Sequence, residues 1–227
     1  MNGRMNWKSI VVSVMAAVGL ALVSGAFAAE KLPVATTLGP ASELWLDGTS
    51  TMHDYESRSK EVTVELFRGP GAAQPADAAA LMALIRSSEV LDVQFQVPVV
   101  SLRSDKAALD KNLRKAMKAE QHPNVYFAMK KYSVAPAAAA GDTVAIQAEG
   151  TLTVAGQERP VSLAARAYPA GEGVWLEGSK KLLMSEYGIQ PPKMMMGALK
   201  VHDPVTIHYR LFLIPKGEGA SPSPSHN

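Results

Sequence analysis

The chain has 227 residues, no cysteine, 6% aromatic residues and a formal charge of +2. At roughly 100 to 200 residues per domain, that leaves room for one domain with a sizeable core once the two ends are set aside. A disulfide framework is excluded, and a charge so near neutrality offers no electrostatic footprint for nucleic acid.

Arg4 and Lys8 precede an apolar run from Ile10 to Val23, and Ala26-Phe27-Ala28 follows. A basic start, an apolar stretch too short to span a bilayer without strain and an A-x-A site predict a signal peptide over residues 1–28, cleaved after Ala28. Export to the periplasm is therefore expected, without a stable membrane anchor, and with no cysteine near the site there is no lipid attachment. Cleavage removes two basic residues and no acidic ones, so the charge falls from +2 to 0.

Residues 29–43 are small and polar with two prolines and predict an extended lead-in. Leu44-Trp45-Leu46 opens a strand that runs into Gly48-Thr49-Ser50-Thr51-Met52-His53-Asp54, and Val62, Val64 and Leu66 alternate with Thr63 and Glu65. That period of two marks strands with one face on a core. Asp77 is placed to cap a short helix carrying Leu81, Leu84 and Ile85. Leu91, Val93, Phe95 and Val97 form the cleanest alternation in the chain, and Pro98 predicts a bulge or edge position before the strand resumes over Val99 to Leu102. Ser104 and Asp105 can cap a second helix with Leu109, Leu113 and Met117 on one face and a solvated basic surface elsewhere.

Beyond His122-Pro123, the helix exit, Val125, Phe127 and Met129 start another strand, and residues 135–141 form an alanine-rich loop. Residues 149–167 predict a tight hairpin: Leu152 and Val154 alternate with threonines, Gly156-Gln157 interrupts, and Val161, Leu163 and Ala165 return, with Pro160 near the start of the second strand. One or two strands follow over 174–184, with Gly178 as a kink. The last strand alternates Val205, Ile207, Tyr209, Leu211 and Leu213 against Thr206, His208, Arg210 and Phe212. Residues 215–227 are too poor in apolar side chains to pack. Pattern alone thus predicts an all-β, antiparallel structure over residues 44–214.

Several of these segments together resemble the YceI-like family of exported bacterial proteins. The matching residues are Gly48 to Asp54, Val99-Val100-Ser101-Leu102 leading to Leu109-Asp110-Lys111-Asn112-Leu113, His122-Pro123-Asn124-Val125-Tyr126-Phe127, Gly150 to Gly156 with Arg159-Pro160-Val161, and Tyr187-Gly188-Ile189 through Gly197, Asp203 and Val205. The resemblance spans Leu44 to Leu213. It implies a single extended β-barrel of lipocalin-like build, of about eight strands with one or two short connecting helices, holding an isoprenoid lipid or quinone tail. The alanine-rich segment 72–88 and the methionines 194–196 stand outside that pattern.

Alternation alone cannot tell a filled barrel from one that holds a ligand. Under the carrier reading the walls are Val93, Phe95, Phe127, Leu152, Val154 and Leu163, with Trp175 and Tyr209 on the later strands. Ile189, Met194, Met195 and Met196 stand near the mouth, methionine being an adaptable wall for a flexible chain. No resident cofactor is needed, and an exposed strand edge would favour a homodimer.

Two other chemistries are in the pattern. Ser50, His53 and Asp54 carry the residue types of a hydrolase triad, but neighbours in sequence are poorly placed for a relay and no G-x-S-x-G elbow accompanies them. Met184, Met194, Met195, Met196, His202 and His53 could ligate copper if the fold gathers them, since thioether suits Cu(I) and imidazole both states. His202 and Asp203 are expected in a solvated turn before Pro204, and His208 on an outward, solvated face.

Overall fold

The computed structural model describes residues 30–136, 142–194 and 199–217. The predicted signal peptide, loop residues 137–141, Met195 and Met196, and the tail from 218 lie outside the described residues.

The chain forms twelve described strands: β1 (Leu32–Val34), β2 (Thr36–Leu38), β3 (Glu43–Ser50), β4 (Tyr55–Ser59), β5 (Thr63–Arg68), β6 (Val90–Pro98), β7 (Asn124–Pro136), β8 (Val144–Val154), β9 (Gln157–Ala170), β10 (Gly173–Leu183), β11 (Lys193–Met194) and β12 (Leu199–Pro215). Two helices, α1 (Ala78–Arg86) and α2 (Ala107–Ala116), occupy connections. Ten strands run in the antiparallel order β1-β5-β6-β7-β8-β9-β10-β12-β3-β4, with β2 and β11 both paired to β12. The sheet curls on itself so that alternate side chains face a common interior. The path has more strands than the eight expected because the lead-in contributes β1 and because Tyr55–Ser59 is a strand, β4.

Both exceptions have local reasons. The inward residues of β4 are Ser57 and Ser59, 0% and 2% exposed, so its buried face shows no apolar alternation. β1 and β2 have three residues each and gain their order from what they bridge: β1 lies on β5 and β2 on the far end of β12. The Gln74 amide links this strap to the last strand, donating to the carbonyls of Ala35 at 3.1 Å and Lys216 at 3.2 Å. At the opposite side Arg58 and Arg103 exchange two backbone hydrogen bonds, 2.7 and 2.8 Å, and the Ser59 and Ser101 hydroxyls pair at 2.7 Å. These contacts close the curl where no full ladder joins β4 to β5.

Asp77 caps α1 as expected, its Oδ1 accepting from the Ala80 N–H at 2.8 Å, and the helix buries Ala78, Leu81, Met82, Leu84 and Ile85 against one end of the sheet. α2 lies at the other end. Its capping differs from expectation: Lys106 is the cap residue and its side chain gives no capping bond. Instead Asp110, 5% exposed, holds the preceding turn, accepting from the Ser104 hydroxyl at 2.6 Å and the Ser104 N–H at 2.8 Å. Burial acts to raise the Asp110 carboxyl's pKa, but the two Ser104 bonds and the charges of Arg103 and Arg114 outweigh it and hold it below its ordinary value.

Val99–Ser101 is a single 3-10 turn rather than a resumed strand, because Val99 N–H turns to the carbonyl of Pro123 at 2.8 Å. β7 continues through Pro136, consuming the start of the expected loop. The central hairpin turns at Ala155-Gly156, both with positive φ (50° and 78°), and the His122 ring packs on Gly156 where a Cβ would sit 2.4 Å from it. Among the described residues no helix is long and apolar enough to cross a membrane.

Two outcomes follow for stability. Hydrogen bonds to a charged group contribute about 1.5–3 kcal/mol, so Ser104→Ala should lower unfolding free energy by roughly 1.5 kcal/mol at pH 7 in urea titrations. Because the folded Asp110 pKa is depressed, this stabilisation is present above about 3.8 and lost as the pH falls through the lower folded value; an undiminished difference at strongly acidic pH would place the loss elsewhere. Gly150→Ala should cost about 1–3 kcal/mol by overpacking, since a Cβ there lies 2.3 Å from the Ala128 carbonyl and 2.6 Å from the Phe127 ring; thermal melts report it directly.

Candidate functional site

Register brings Val64, Phe95, Phe127 and Leu152 into one row across β5, β6, β7 and β8. The inward phase of β9, β10 and β12 adds Leu163, Leu176 and Tyr209, and these side chains surround an interior cavity of about 150 Å³. Space remains because inward positions opposite the bulky residues are small: Ala148, Gly150, Ala165 and Gly178. Phe127 leans over Gly150, and the Tyr209 ring crosses Gly178, where a Cβ would lie 2.2 Å from its hydroxyl. Tyr209 Oη–H donates to the Ala164 carbonyl at 3.2 Å, and burial pushes this phenol up to about 12, as it does the Tyr132 phenol, whose Oη–H donates to the Ile85 carbonyl. Both remain neutral donors at physiological pH.

A second apolar cavity of about 290 Å³ lies beneath α2, walled by Leu109, Leu113 and Met117 from the helix and by Leu46, Met184 and Ile189 below. Leu46 follows Leu44 on β3, Val205 precedes Ile207 on β12, and Met184 follows Leu182 on the β10 side, so the two cavities lie end to end along the same strands. Neither alone reaches the ~300 Å³ at which ligand pockets begin, while together they pass it. A separate, outer cleft is lined by charged groups such as Asp47, Glu56 and Lys181.

Of the wall residues expected from alternation, Val93, Phe95, Phe127, Leu152, Leu163 and Tyr209 stand on the first cavity and Ile189 on the second. Val154 is buried in the core, 7% exposed, short of either cavity. Trp175 requires correction. It faces outward, packed on Phe212 with ring centroids 4.8 Å apart and covered by Arg210 at 4.3 Å, while Leu176 takes the inward place. Val174, Trp175 and Leu176 are consecutive apolar residues, so the pattern did not set their phase. Met194 contributes backbone to β11, and Met195 and Met196 lie outside the described residues. The walls missed by sequence reasoning are spread over most of the barrel and both ends, among them Leu44 on β3, Tyr132 on β7, Lys180 and Leu182 on β10, Leu211 on β12 and Leu113 on α2.

The triad residues do not form a relay. Ser50 Oγ–H donates to the backbone carbonyl of His53 at 2.7 Å, and His53 Nδ1 lies 3.1 Å from the backbone carbonyl of Asp54 rather than its carboxylate. The copper candidates are divided: His53 and Met184 line the second cavity, whereas His202 lines the outer cleft with Nδ1 2.8 Å from Thr49 Oγ1. No group of three or more His, Cys, Asp or Glu suited to a metal occurs among the described residues. His202 and Asp203 lie within β12 rather than in a solvated turn, and Asp203 accepts from Ser185 N–H at 2.8 Å and Ser185 Oγ–H at 2.5 Å. His208 faces outward, but stacked on Trp45 at 4.9 Å with Nε2 2.9 Å from Asp47.

Comparison with known proteins places this geometry. No curated protein matches the chain in sequence. The crystal structure of BcnA from Burkholderia cenocepacia superposes with a TM-score of 0.57 at 15% identity, covering 78% of this chain and 99% of that one. A polyisoprenoid binding domain from Saccharophagus degradans, implicated in plant cell wall breakdown, superposes with a TM-score of 0.56 at 11% identity, covering 80% and 99%. At these identities the likeness is one of fold. In sequence, residues 51–213 match the YceI-like domain, and the chain belongs to that family.

Proposed function

We propose that this protein is an exported, non-catalytic carrier that encloses an apolar chain, an isoprenoid lipid or the tail of a quinone, in the paired cavities. One observation carries the reading: the interior of the curled sheet holds two end-to-end cavities whose walls are apolar but for a few edge groups. A cavity with such walls disfavours water, which needs two to four polar partners, and suits a hydrocarbon. Each methylene moved from water into it contributes about 0.8 kcal/mol, so a chain of a few isoprene units offsets the cost of association without any directed bond. Export is supported by the signal-peptide pattern of residues 1–28, and a lipid ligand by the YceI-like family and by the stated ligand class of the Saccharophagus degradans domain.

The test fills the cavity instead of breaking its wall. Ala148 lines the first cavity and is half-buried, and Ala148→Phe should reduce co-elution of a radiolabelled polyprenol with the mature protein roughly tenfold or more while circular dichroism stays unchanged. Undiminished co-elution with the folded variant would contradict an interior site.

A further inference from the structure

β9 and β10 separate partway along their length. Their ladder runs from Gly173↔Ala170 to Ser179↔Ala164 and stops, after which β9 continues with β8 alone to Gln157 and β10 with β12 alone to Leu183. Pro160, which has no N–H to give a ladder, lies in the separated stretch of β9. Two hydrogen bonds bound the resulting lateral window. At one end Tyr209 Oη–H reaches the Ala164 carbonyl at 3.2 Å, and at the other Arg159 Nε–H reaches the Glu186 carbonyl at 2.9 Å.

Lys180 stands in this window. It is the first inward position of β10 beyond Gly178 and lines the first cavity beside Leu182 and Ile207, the one charged residue among its described walls. It is half-buried, and no described group gives it a hydrogen bond or an ion pair. A long apolar stem on a hydrocarbon wall with an ammonium at the water boundary matches a chain whose polar end stops at that boundary.

Resting on the carrier reading, we propose that the window between β9 and β10 is the head-group site, and that Lys180 pairs there with an anionic oxygen head, phosphate or carboxylate, while the chain fills the cavities. An ammonium is a compact point charge that serves such heads without bidentate geometry.

The test compares ligands that share a chain. Mature protein is titrated with a polyprenyl phosphate and the polyprenol of equal length, and with a long-chain carboxylate and its alcohol. At least one anionic member should bind about tenfold or more tighter than its neutral partner, the scale of one hydrogen bond to a charged group. Lys180→Met should erase that preference with alcohol binding kept, and Lys180→Arg should retain it. Equal binding of each pair to the native protein, or a preference that survives in Lys180→Met, overturns the head-group site while leaving the carrier reading intact. Failure of all four chains to bind overturns both.

Discussion

The structure depends on closing a curled sheet whose two edges never form a common ladder. β4 and β5 form no ladder with one another, so closure falls to small local contacts: the reciprocal Arg58–Arg103 backbone pair, the Ser59–Ser101 hydroxyl pair and the β1–β2 strap. Unpaired edge groups would otherwise invite another strand. With α1 and α2 at its two ends, the inward faces of β3, β5 to β10 and β12 share one largely apolar interior.

Whether such an interior is a core or a container is decided by volume, since native cores leave few voids larger than a water molecule. Here the inward faces mix Phe, Leu and Val with Ala and Gly, and two of the inward rings turn toward glycines: Phe127 onto Gly150 and Tyr209 across Gly178. The rings are held against the wall, and the centre stays open. Gly178 also marks the place where β9 and β10 part, so the same residue that seats Tyr209 stands at the rim of the lateral window.

Much of this was legible in the chain because burial on one face leaves a period of two. The alternations at Val93 to Val97, Leu152 to Val154 and Val205 to Leu213 located strands and named part of the cavity wall, whereas Leu91 is exposed because a bulge opposite Arg68 leaves Val90 buried in its place. Legibility failed where burial is not apolar or where everything is: β4 turns serines inward, and Val174-Trp175-Leu176 has no polar neighbour to set its phase. It failed too where order comes from distant partners, as for the three-residue strands of the lead-in. Lys180 was invisible for a different reason. A lysine in a strand normally reads as the outward face, and only the parting of β9 and β10 allows an inward one to reach water.

A carrier of this build should leave the cell with a chain molecule in its interior. Native mass spectrometry of mature protein purified from the exported fraction, followed by organic extraction and mass analysis, tests it most directly. The expected result is one isoprenoid chain per protein, released on extraction. Protein that is empty as isolated and takes up no chain when one is supplied would contradict it.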